Sequence, residues 1–166
     1  MSEKDKITET KVKYNGLFDF KEVYAFVYRW LTEEDYWIEE KKYIEEISGE
    51  AKKVEITWEA HKKVSDYFRY DLKLSWRIIG MTTVEAERNG KKVKINKGGF
   101  ELKIAAILMK DYQSTWESNP LMKFLRGIYD RFVIEGRIKQ YEIKLDGDLN
   151  EVSEQLKAFL ALEGMK

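Results

Sequence analysis

Residues 68–78 read Phe-Arg-Tyr-Asp-Leu-Lys-Leu-Ser-Trp-Arg-Ile, an unbroken alternation. Phe68, Tyr70, Leu72, Leu74, Trp76 and Ile78 fall on one side, and Arg69, Asp71, Lys73, Ser75 and Arg77 on the other. A period of two marks a strand with one dry face and one wet face. Eleven residues at ~3.3 Å each reach roughly 36 Å, about twice the usual strand, which implies a large antiparallel sheet, curved and covered on one side.

Upstream, Ile7 to Tyr14 alternates in the same way and stops at Asn15-Gly16, which reads as a first strand. Asp19 lies three residues before Glu22, the spacing of a capping box, and Phe18 is placed to staple onto Val23. Val23, Phe26, Val27, Trp30 and Leu31 then form the apolar stripe of a helix. Tyr36 to Ile47 fits neither period well and is assigned as a strand because Ser48-Gly49 and a clear strand follow. In that clear strand Val54, Ile56, Trp58 and Ala60 alternate with Glu55, Thr57, Glu59 and His61. Joining its dry face to that of residues 68–78 requires paired numbers to sum to an even value. A sum of 128 is preferred, because it sets Glu59 opposite Arg69 and Glu55 opposite Lys73, with Trp58 facing Tyr70 and Ile56 facing Leu72.

Downstream, Asn89-Gly90 is a type I′ hairpin signal. With Arg88 opposite Lys91, Ala86 meets Val93 and Val84 meets Ile95 on one face, while Glu87 meets Lys92 and Glu85 meets Lys94 on the other. Gly98-Gly99 reads as a turn into another strand, Phe100 to Met109. Asn119-Pro120 then opens a helix on which Leu121, Phe124, Leu125, Ile128 and Phe132 share a side, whereas Ile134, Ile138, Tyr141 and Leu145 lie nearly opposite. Asp146-Gly147-Asp148 reads as a tight turn before a last helix carrying Leu149, Val152, Leu156, Phe159 and Leu160. The predicted fold is α+β: about seven antiparallel strands in the order β-α-β6-α-α, roofed by the helix from Pro120, with an added C-terminal helical hairpin.

The chain has 166 residues, 43% of them hydrophobic, and suits one domain: residues 7–145 as sheet and covering helices, and 146–166 as an appended helix. Thirty basic and thirty acidic side chains cancel, so no overall field points to nucleic acid or to an anionic membrane. Charge is nevertheless segregated. Residues 33–50 carry eight acids against two bases, a net of −6, and residues 88–103 carry six bases against one acid, a net of +5. These patches are read as solvated strand faces, or as partners across strands or subunits. Cysteine is absent, which removes disulfides and thiolate chemistry. No apolar segment follows Met1 to Lys6, and the longest apolar run, Ile104 to Met109, is far short of a bilayer span, so a cytoplasmic protein without a membrane span is expected. Heavy Glu and Lys use leans toward a heat-adapted source.

Strand, helix, six strands and a long helix resembles the order of the helix-grip superfamily, the fold of START and Bet v 1-like domains. The resemblance runs from Ile7 to Leu145, although residues 48–51, Ser-Gly-Glu-Ala, stand where Bet v 1 relatives have a glycine-rich loop. It implies a curved sheet gripping the helix from Pro120 around a cavity for a lipid or another apolar molecule. No function follows from fold analogy alone.

His61 is the only histidine, which excludes the usual serine and cysteine triads and any zinc site needing two histidines or a cysteine. There is no Walker A loop, dinucleotide fingerprint or HExxH helix, so catalysis is not favoured and no cofactor is called for. Aromatic residues make up 14% of the chain, including tryptophans at 30, 37, 58, 76 and 116. They either fill the core or line a pocket for an apolar small molecule; the expected set is Trp58, Tyr70, Leu72, Trp76, Ile128 and Phe132, with Tyr70 as the polar tip and Gly127 permitting close approach. The alternative is an assembly or adaptor module, binding a second copy or a protein partner through Ile134, Ile138, Tyr141, Leu156 and Phe159. Nucleic-acid binding through the basic 88–103 hairpin is disfavoured, because Glu85 and Glu87 match its lysines and only Phe100 could stack.

Overall fold

The computed structural model describes residues 3–65, 67–110, 120–128 and 135–165. In chain order the elements are β1 (Glu3–Phe18), α1 (Phe20–Glu33), β2 (Trp37–Ser48), β3 (Ala51–Lys63), β4 (Phe68–Arg88), β5 (Lys91–Lys110), α2 (Pro120–Ile128) and α3 (Glu135–Met165). The strands form a single antiparallel sheet in the order β1-β5-β4-β3-β2. The expectation of seven strands is therefore corrected to five.

The reduction comes from glycines that bend strands instead of ending them. Ile79 pairs with Gly99 and Thr82 with Lys97, so Gly80 and Met81 together face Gly98, which is a β-bulge. Gly80 takes a φ of 63°, open to glycine at no steric cost. A Cβ on Gly98 would lie 3.0 Å from both the Ile79 carbonyl oxygen and the Met81 Cα, so this residue is a glycine because two backbones approach closely. On the other side Asn15 pairs with Gly99 and Gly16 with Gly98, and β1 likewise runs on to Phe18. Gly98-Gly99 is thus the middle of a 20-residue strand and not a turn.

A second bulge explains why residues 36–47 fit neither period. Glu40 pairs with Trp58 but Lys42 with Thr57, leaving Lys41 as the extra residue. Before it the even positions face the core, as partly buried Ile38 shows. After it the odd ones do, with Tyr43 opposite Ile56 and Glu45 opposite Val54. One inserted residue reverses every later side chain.

The Asn89-Gly90 hairpin has the expected register in all five pairs from Arg88–Lys91 to Val84–Ile95. The β3–β4 register does not match expectation. Trp58 pairs with Leu74, Ile56 with Trp76, Glu59 with Lys73 and Glu55 with Arg77, sums of 132. Parity and charge pairing are kept, but β3 runs on to Lys63, which pairs with Arg69, so the reversal is centred two residues later than a sum of 128 requires. Val64 N donates to the Phe68 carbonyl (3.1 Å), and Ser65 Oγ accepts from the amides of Tyr67 (3.2 Å) and Phe68 (3.0 Å).

Asp19 caps α1, its Oδ1 accepting from the amides of Lys21 (3.1 Å) and Glu22 (3.3 Å), while Phe18 and Val23 are fully buried as a staple requires. Val23, Val27, Trp30 and Leu31 face the sheet. The roof beside α1 is α3 and not the segment beginning at Pro120, a second correction. On α2, Leu121 is 62% and Phe124 65% exposed. Nor is there a C-terminal hairpin: α3 runs unbroken for 31 residues through Asp146-Gly147-Asp148. Ile138, Tyr141, Leu145, Leu149, Val152, Leu156 and Leu160 follow one another at spacings of three or four, a continuous stripe. Gly147 lies on the exposed side, where a Cβ would meet nothing within 4 Å, so its helix penalty of about 1 kcal/mol is outweighed by the buried stripe.

Val12, Val54, Ile56, Trp58, Leu72, Leu74, Trp76, Leu102 and Ile104 are buried beneath α1 and α3, so the described residues form two layers around one core. The opposite face is charged, with exposed pairs such as Lys103–Glu9 (3.2 Å) and Lys11–Glu101 (3.3 Å). The acidic and basic segments do not face each other across neighbouring strands, since β2 pairs with β3, and β5 with β1 and β4. Among the described residues no helix is long and apolar enough to cross a membrane.

Gly98→Ala should lower stability by about 1–3 kcal/mol in urea titration, because backbone atoms on the bulged strand cannot yield to a methyl group; an unchanged midpoint would show that the bulge does not demand glycine.

Candidate functional site

The dry face carries a train of aromatic rings. Tyr24 from α1 meets Trp58 edge-on with centroids 4.8 Å apart, Trp58 meets Trp76 at 5.0 Å, and Trp76 meets Phe100 at 5.8 Å. Glu40, the last residue before the β2 bulge, accepts from Tyr24 OH (3.1 Å) and Trp58 Nε1 (3.3 Å) through one oxygen, Oε1. Tyr24 is thereby fixed as an inner wall. Outside it, between the first turns of α1 and the bulged ends of the strands, a cleft of about 400 Å³ is lined by Phe20, Lys21, Tyr24, Tyr43, Glu45, Lys52, Met81 and Asn96.

Each lining residue is positioned by a feature already described. The α1 cap sets Phe20 and Tyr24, the Lys41 bulge turns Tyr43 and Glu45 toward the core side, and the Gly80 bulge presents Met81. Asn96 Oδ1 accepts from Phe20 N (3.0 Å), which ties the helix start to β5. Lys52 Nζ reaches only to 4.0 Å from Glu45. With Lys21 it gives the rim two cations against one anion.

Of the expected pocket residues, Trp58, Tyr70, Leu72 and Trp76 share the buried face. Tyr70 spends its hydroxyl on the Tyr141 carbonyl of α3 (3.1 Å). Ile128 belongs to α2 and is 39% exposed, and Phe132 lies outside the described residues. Of the expected partner-binding residues, Leu156 is fully buried in the chain's own core. Ile138, Tyr141 and Phe159 pack against that core, Phe159 stacking on Phe26 at 4.9 Å, and Ile134 lies outside the described residues. None of the eight residues lining the cleft belongs to the pocket set that the sequence suggests. Nothing in local periodicity marks them, because two bulges bring them together.

The wet face holds a second constellation around His61. Its Nδ1 lies 2.7 Å from Asp71 Oδ1, and Asp71 is clamped by Arg69 through Nε (2.8 Å) and Nη2 (2.9 Å). His61 Nε2 faces Glu39 Oε2 at 3.8 Å, and the Trp37 ring lies 5.0 Å from the imidazole. Glu39 sits directly opposite Glu59 across the β2–β3 ladder. Lys41 Nζ stands between them, 2.8 Å from Glu39 and 3.8 Å from Glu59. Its hydrogen bond and charge hold the Glu39 carboxyl below the usual carboxylate range and raise the lysine in return.

Comparison with protein-family models, curated proteins and solved structures finds no match. Function has to be read from these side chains themselves.

Burial, then the hydrogen bond and negative charge of Glu40, push the Tyr24 phenol from its ordinary 10.0 to about 12. Burial likewise raises Tyr43, Tyr70 and Tyr36. A phenol held above its unfolded value favours the folded state fully below pH 10 and loses that contribution as pH climbs through about 12. Alkaline titration followed by tyrosinate absorbance should therefore show Tyr24 ionising late, absent in Tyr24→Phe and earlier in Glu40→Gln. An identical curve for Glu40→Gln would contradict the assigned hydrogen bond.

Proposed function

We propose that the chain is a noncatalytic binding domain that takes a small, mostly apolar molecule with an anionic end in the cleft between α1 and the sheet. The observation that carries this reading is the cleft itself: about 400 Å³, within the range of small-molecule sites, with apolar walls and a few convergent polar groups. Phe20, Tyr24, Tyr43 and Met81 supply the apolar walls, and the thioether of Met81 adapts to irregular shapes. Lys21 and Lys52 favour a carboxylate or sulfonate at the rim. Asn96, whose oxygen is held by Phe20 N, keeps its amide nitrogen as a donor. The aromatic train behind Tyr24 makes the inner wall rigid, so a ligand would order few side chains on binding.

The test uses an anionic naphthalenesulfonate dye, followed by its own fluorescence and by tryptophan quenching. Tyr43→Glu and Lys52→Glu should each weaken binding by roughly tenfold or more, about 1.4 kcal/mol, since each sets a carboxylate against the anion. Phe124→Glu, on the exposed apolar side of α2, should leave it unchanged. Binding lost in Phe124→Glu but kept in Tyr43→Glu would refute the cleft.

A further inference from the structure

We propose that Glu39, Glu59 and His61 form a site for a divalent transition-metal ion, zinc first, on the face of the sheet opposite the cleft. One ligand atom from each lies within 4.8 Å of those of the other two. Neighbouring ligands of tetrahedral zinc are ~3.4 Å apart, given bonds of ~2.0–2.1 Å, so side-chain rotation suffices to close the site.

Three independent features of the surroundings suit a metal. The first is the cross-strand pairing of Glu39 with Glu59, where like charges directly opposite destabilise a sheet unless a cation joins them, a role that the Lys41 ammonium fills and that a metal ion could take over. The second is the imidazole. Asp71, itself clamped by Arg69, lies 2.7 Å from His61 Nδ1, and in the tautomer that donates from Nδ1 the Nε2 lone pair is left on the Glu39 side. A carboxylate behind a histidine fixes its tautomer and raises its basicity, the usual support of a metal-ligating imidazole. The third is accessibility, because the His61 side chain is 12% exposed and both glutamates are open to solvent. An ion can enter and keep water on its free side.

The donor set selects the ion class. One imidazole nitrogen with two carboxylates suits zinc and its divalent neighbours, whereas calcium wants six to eight oxygens and magnesium holds mostly water. A one-histidine, two-glutamate set lies outside the two-histidine and cysteine sites that a single histidine excludes. Lys41 is the competitor. It is the extra residue of the β2 bulge, and its ammonium bridges the same two carboxylates, so metal binding has to displace it.

That competition gives a test which a nonspecific acidic surface would fail. Zinc chloride titrated into the full chain, followed by calorimetry and by the fluorescence of Trp37 beside His61, should saturate at one ion per chain. Cobalt(II) should give the visible absorption of a low-symmetry site. His61→Asn and the doubly substituted Glu39→Gln/Glu59→Gln protein should each weaken zinc by at least about 30-fold, and Asp71→Asn by about tenfold. Lys41→Ala should tighten it several-fold. The two glutamates are surface residues, so their variant tests the site even if His61→Asn fails to fold. Absence of one-to-one saturation, unchanged zinc affinity in the double variant, or weaker binding in Lys41→Ala would each overturn the proposal.

Discussion

Everything in this molecule depends on keeping water from one side of β3, β4 and β5. Trp58, Trp76, Leu72, Leu74, Ile78, Leu102 and Ile104 lie on that side, and each large side chain withdrawn from water contributes about 1.5–3 kcal/mol before entropy is counted. A sheet cannot cover itself. α1 crosses from one edge strand to the other, and the stripe of α3 from Leu145 to Leu160 fills the remainder. The helices are held in place because the rings of Tyr24 and Tyr141 reach down to Trp58 and Phe68.

Much of this was legible in the sequence because the signal was local. The capped helix from Phe20, the hairpin at Asn89-Gly90 and the dry face of residues 68–78 each follow from spacing within a dozen residues. Errors arose where two strands decide jointly. Gly98-Gly99 resembles a turn until Gly80 is known to bulge against it, and only the pairing shows that. Side-chain charge is satisfied by either β3–β4 register, and the position of the reversal, held by the Ser65 hydroxyl, separates them. Asp146-Gly147-Asp148 has turn composition, but Gly147 faces outward and the buried stripe continues at three- and four-residue spacings past it. Here tertiary burial overrode local preference.

Both candidate sites were less legible than the fold. The cleft combines α1 with strands far from it in sequence, and its residues converge only once both bulges are in place. The His61 constellation spans three strands: Glu39 comes from β2, Glu59 and His61 from β3, and Asp71 from β4. Parity alone would set Glu59, His61 and Asp71 on one face, but the β2 partner needs the inter-strand register. The two candidate sites therefore lie on opposite faces of one sheet and present different side-chain chemistry.

The Lys41 bulge has one more effect, on the free margin of the sheet. Among the described residues β2 is an edge strand with no strand on its outer side, and it exposes Trp37, Ile44 and Ile47. A flat ribbon of this composition would invite templated stacking. An irregularity at mid-strand, together with glutamates and lysines at 39–42, 45 and 46, interrupts the edge that an incoming strand would have to copy, the kind of feature by which sheet edges disfavour templated pairing.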